Sequence, residues 1–74
     1  MIKKGDFVSL GSAFRAIVTG SPRTVETFDE FGYGGEFVGM VPVVIVHARN
    51  DADSRYVGFK KLVRLNTVRK LEVQ

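Results

Sequence analysis

Cysteine and tryptophan are absent from this 74-residue chain, proline occurs twice and histidine once. With no cysteine, no disulfide braces the fold, and no thiolate can act as nucleophile or zinc ligand. Long apolar runs are missing too. The longest, Phe37 to Ala48, is interrupted by Pro42 and falls short of the about 20 residues a helix needs to cross a bilayer. The opening Met1-Ile2-Lys3-Lys4-Gly5-Asp6 reaches a turn signal at once and lacks an apolar segment of the signal-peptide kind. The expectation is a soluble cytoplasmic protein with no membrane partner. A chain of this size buries only about 60% of the surface its unfolded form exposes. It has no room for a dinucleotide-binding α/β domain or a TIM barrel, and residues 1–74 read as a single domain.

What is present favours strands. Twelve valines, three isoleucines and four threonines stand against four leucines and four alanines. β-branched side chains are stiff at χ1 and fit a pleated surface better than a helix. Eight glycines are scattered along the chain and supply turns and bulges. An apolar fraction of 45% is enough for a packed core. The pattern predicts an all-β unit of five to six short antiparallel strands, a small barrel or sandwich.

Along the chain, a turn at Gly5-Asp6 leads into a strand to Leu10, with Val8 and Leu10 on one face and Phe7 on the other. Gly11-Ser12 turns into a second strand, residues 13–19, that points Ala16 and Val18 inward and Ile17 outward. Residues 21–35 are the least regular, and two readings stay open. Ser21-Pro22 fits the start of a helical turn with Gly32 as its stop; the rival is a long β-hairpin arm with its tip near Gly32 to Gly35. The run Val43-Val44-Ile45-Val46 is apolar on both alternating faces, which predicts a central strand covered on both sides. Residues 49–54 read as a polar turn leading to Arg55-Tyr56-Val57, and Gly58 to Lys61 as a tight, 3₁₀-like turn. Leu62 to Leu65 reads as a strand and Asn66-Thr67 as a hairpin turn. Val68 to Val73 is the return strand, although the Val68/Leu71 spacing also fits a helix. The predicted core is Val8, Leu10, Val18, Val44, Val46, Val57, Val63 and Leu65.

This order of elements resembles an SH3-like small barrel. The opening Gly5-Asp6-x-Val8-x-Leu10 and the return Arg15-Ala16-Ile17-Val18 are similar to the first strands of such barrels, including KOW-type domains, which carry glycine where this chain has Ala16. Size and the Gly-Asp-x-Val opening also resemble plasmid-borne type II dihydrofolate reductases. That second resemblance implies an oligomeric pore enzyme, but the Val-Gln-Ile-Tyr strand lining their pore is absent here. SH3-like barrels serve many functions, so the fold alone assigns none.

Charge is unevenly placed. Residues 25–36 carry Glu26, Asp29, Glu30 and Glu36 and no base. Among them lie Phe28, Phe31 and Tyr33, giving a candidate protein-binding loop of Phe28, Asp29, Glu30, Phe31 and Tyr33, since apolar anchors rimmed by charge make hot spots. The alternative is that these rings fold back over the end of the barrel. Residues 54–74 carry Arg55, Lys60, Lys61, Arg64, Arg69 and Lys70 against Glu72. With Tyr56 or Phe59 as a stacking platform they form a candidate nucleic-acid face, or else a solvated surface that keeps strand edges apart. Phe7 and Ile17, pointing outward from neighbouring strands, are a candidate homo-oligomer surface.

Catalytic signatures are thin. His47 is the single histidine and reads as a strand residue rather than a base. Asp51-x-Asp53 lacks the downstream glycine and glutamate of a calcium loop. Gly32-x-Gly34-Gly35 is not followed by the Gly-Lys-Ser/Thr of a P-loop. No catalytic residue, metal or cofactor is expected. The functional expectation is a non-enzymatic protein-binding or assembly module, of the kind found as small phage- or mobile-element-type accessory proteins, with nucleic-acid binding as the alternative.

Overall fold

A computed structural model describes residues 2–71. Six strands, β1 (Phe7–Leu10), β2 (Phe14–Val18), β3 (Arg23–Phe28), β4 (Gly34–Ala48), β5 (Lys60–Arg64) and β6 (Val68–Lys70), form one antiparallel sheet curled into a half-barrel. Two short 3₁₀ helices, Asp51–Tyr56 and Leu65–Thr67, connect the later strands. Among the described residues no helix is long and apolar enough to cross a membrane.

The fold is organised by β4, fifteen residues long. Val43 and Val44 pair with β2 and also with β5, and Met40 pairs with both β3 and β5. β2 and β3 therefore lie along one edge of β4 and β5 along the other. Residues 14–28 and 34–48 are in effect one long hairpin, continued across the β2–β3 break by the Thr19 amide, which donates to the Pro42 carbonyl (3.0 Å). β1 pairs with β2, and β6 with the free edge of β1.

The inner face of the curl is read directly from the register. Val8 faces Ala16, Ala16 faces Ile45, and Val18 faces Val43. These five and Val41 are the buried hydrophobic residues among those described. Ile2, Leu10, Val63, Leu65 and Val68 pack against this cluster from its rim. The expectation for Val8, Leu10, Val18, Val63 and Leu65 agrees with this arrangement. For the central strand it does not: Val41, Val43 and Ile45 point inward, while Val44 and Val46 are half-buried on the outer side. A bulge contributes. Arg15 pairs with His47 and the next residue, Ala16, with Ile45, so Val46 has no β2 partner and the ladder is locally disrupted there. Val57 is also outside the core, 44% exposed just past the first 3₁₀ helix.

Other elements differ from expectation in type. Residues 23–28 are a strand, because β4 supplies a full antiparallel ladder for them from Met40 to Gly34; the hairpin-arm reading holds and the helical turn does not. The 3₁₀ turn lies at Asp51–Tyr56, ahead of Gly58. Asn50 nucleates it, its Oδ1 accepting from the Asp53 amide (3.0 Å), and the Ser54 hydroxyl donates to the Asp51 carbonyl (2.7 Å). Asn66-Thr67 is part of a 3₁₀ turn, not a hairpin: β6 leaves β5 and pairs with β1. The strand reading holds through Lys70; residues 72 and 73 of the expected return strand lie outside the described residues.

Candidate functional site

The β3–β4 hairpin runs beyond the barrel. β5 covers β4 only from Met40 to Val44, so from Gly39 to Gly34 the arm consists of two strands alone. Its strand pattern follows from the alternation in Arg23-Thr24-Val25-Glu26-Thr27, where Val25 and Thr27 are half-buried and their neighbours exposed. Val25 pairs with Val38, Glu26 with Phe37 and Thr27 with Glu36.

The tip is held by one side chain. Asp29 Oδ1 accepts from the amides of Phe31 and Tyr33, both at 2.9 Å. The Asp29 amide donates to the Tyr33 carbonyl (2.9 Å), and the Gly32 amide to the Asp29 carbonyl (3.1 Å). Gly32 has φ of +83°, a conformation that costs glycine little and other residues more. The turn is thus built by hydrogen bonds, and Gly32 serves its shape. Next to it the Phe28 ring lies directly over Gly34, occupying the place a Cβ would take.

The aromatic residues do not fold back over the barrel. Phe28 is 64% exposed, Phe31 77%, Tyr33 77% and Phe37 67%. Phe37 is absent from the sequence-based candidates, although it is visible by periodicity. Counting back in twos from buried Val43 and Val41 gives Gly39 and then Phe37 on the same face. The inner face of β4 therefore continues onto the arm, buried as far as Val41 and open beyond it. By the same alternation Phe28 shares the face of Glu26 and its partner Phe37. At the base of this face is a hollow of about 470 Å³ lined by Phe37, Gly39, Leu65 and Asn66. Of the candidate loop residues, Phe28, Glu30, Phe31 and Tyr33 are exposed and reachable, and Asp29 organises the turn.

The candidate basic residues are not gathered on one face. On β5, Lys60 and Arg64 share the side opposite to that of Lys61 and Val63. Arg69 and Lys70 are on β6, at the other end of the sheet path. Lys70 makes the sole ion pair among the described residues, with Asp6 at 3.6 Å. Arg55 lies over the Tyr56 ring (4.9 Å) and donates to its hydroxyl (3.0 Å). Tyr56 itself makes edge contacts with both Phe14 and Phe59, which leaves it half-buried in an aromatic cluster rather than presented as a platform.

Phe7 and Ile17 are direct cross-strand partners, and Ile17 also faces Val44. All three are half-buried on the outer side of the sheet. His47 is exposed there, opposite Arg15. No cluster of three or more potential metal ligands exists among the described residues. No family model matches the chain, and neither a curated protein nor a solved structure does.

Proposed function

We propose that this protein is a non-enzymatic binding module that uses the β3–β4 arm to dock on another protein. The supporting observation is the set of four exposed rings, Phe28, Phe31, Tyr33 and Phe37, on a two-stranded projection whose tip Asp29 ties down. Large exposed apolar groups gathered in one place mark interaction sites in soluble proteins. A pre-shaped tip lowers the ordering cost of binding. Glu26, Glu30 and Glu36 around the rings select a partner with a basic rim and speed encounter more than they add affinity.

The scaffold reading is an SH3-like half-barrel. Its support is the strand path β5-β4-β2-β1-β6, with a 3₁₀ turn before the last strand. The arm is then an elongation of the hairpin that joins two barrel strands. A small module with such a projection suits an accessory protein of the phage or mobile-element kind, which acts by attaching to a host protein.

The test is quantitative capture from a bacterial lysate, treated with nuclease, by wild-type protein and by Phe31→Ala. The ring is exposed, so the variant should melt as wild type does. A specific partner should be lost with about a thirtyfold drop in affinity, the equivalent of about 2 kcal/mol at a hot spot. Identical captured proteins and affinities for the two would refute the reading.

A further inference from the structure

The outer face of the sheet carries a second feature that the arm does not use. Cross-strand register aligns Arg69 on β6, Ser9 on β1, Arg15 on β2 and His47 on β4 in one row. Arg49 follows just past the end of β4, anchored by its amide to the Ala13 carbonyl (2.8 Å). Ser9, Ser12, Arg15, His47 and Arg49 line a hollow of about 370 Å³, and among the described residues none of its lining is acidic. Arg15, Arg49 and Arg69 are exposed, and none takes part in an ion pair among the described residues. These groups come from four separate stretches of chain, and the pairing of β6 with β1 and β2 with β4 brings them together.

We propose that this row binds the phosphodiester backbone of a nucleic acid. Arginine guanidinium groups match phosphate oxygens in bidentate geometry, and serine hydroxyls add further donors. Arg69 and Arg15 are fixed on paired strands with β1 between them, about 10 Å apart at about 4.8 Å per strand, and Arg49 follows beyond β4, so they present a line of charge rather than a point. None of the exposed large hydrophobic residues, Phe28, Phe31, Tyr33, Phe37, Val57, Phe59 and Leu62, lines the hollow. Phe14, half-buried and edge-on to Tyr56, and Leu71, also half-buried, are part of the lining, so among the described residues no exposed ring or aliphatic wedge stands here to enter a bilayer or anchor a protein. Recognition is of backbone charge, without sequence readout. The site is independent of the arm: the acidic tip holds a protein while the outer face grips nucleic acid.

The test is fluorescence anisotropy with a short mixed-sequence duplex and with its single strand, across a salt series. Three arginine–phosphate contacts give a slope of log K against log salt of about −2.7 for duplex, or about a fortyfold loss between about 50 and 200 mM. Arg15→Ala/Arg49→Ala should flatten that slope by about 1.8. Lys60→Ala/Lys61→Ala on β5 should leave it near wild type. Thermal melts check that each variant folds; should the first not, Arg49→Ala/Arg69→Ala is read in its place. The proposal is overturned if wild type binds neither oligonucleotide at low salt, or if the outer-face variant binds as wild type does. Binding to phosphatidylserine vesicles but to neither oligonucleotide would overturn it as well. Loss of protein capture by Phe31→Ala leaves this result untouched, so the two sites are separable.

Discussion

Replacing Val43 by alanine removes two methyl groups from a side chain with no solvent exposure. At about 0.8 kcal/mol per buried carbon the transfer term is about 1.6 kcal/mol. The neighbours of Val43, Val18 across the ladder and Val8, Ala16 and Val41 in the same cluster, are themselves held in a paired sheet, so the space closes only in part. With the cavity term the loss becomes about 2–3 kcal/mol. A 74-residue domain has a total stability of about 4–11 kcal/mol, so the change removes a large share of it and lowers Tm by about 10–20 °C. Val46, one pleat from Ile45 and half-buried at the bulge, should lose less than about 1 kcal/mol on the same substitution. Urea unfolding of both variants, with m unchanged as the check on compactness, measures the difference. Equal losses, or a larger one at Val46, would refute the assignment of the inner face. They would also refute the placement of Phe37 on that face, because the same alternation carries it from Val43 through Val41 and Gly39 to the arm.

Two further substitutions probe the arm. Asp29→Ala removes the acceptor of the Phe31 and Tyr33 amides; it should cost the tip about 1 kcal/mol and speed hydrogen exchange at both amides, while the melting of the barrel stays within about 0.5 kcal/mol of wild type. Gly34→Ala places a methyl group where the Phe28 ring lies. The ring must swing away, and NMR shifts of Phe28 and Tyr33 should move while those of Val8 and Val18 do not. Unchanged Phe28 resonances would contradict the packing of that ring over the backbone.

Much of the architecture is set by local chemistry. The abundance of β-branched residues, the turns at Gly5-Asp6 and Gly11-Ser12, and the alternation in β1 and β2 determine an all-β chain and place Val8, Ala16 and Val18 inside. Carboxylates interleaved with rings single out residues 25–36, but whether the rings stand out or fold back over the barrel end is not decided there; it is decided by the β3–β4 hairpin, which carries them beyond the reach of β5. What the sequence leaves open is what depends on partners distant in the chain. Val43 to Val46 is apolar on both faces, so alternation alone does not choose the inner one. The choice is made where Val18 and Ala16 of β2 meet Val43 and Ile45, with a bulge at Val46 that no local signal announces. Residues 23–28 become a strand because β4 completes their hydrogen bonds, an outcome that Ser21-Pro22 by itself does not decide. β6 passes over β5 to pair with β1, and that non-local pairing sets Arg69 beside Ser9, in line with Arg15 and His47. Cation spacing along the chain could not show this row, because a sheet assembles a surface from positions that share a register rather than a neighbourhood in sequence.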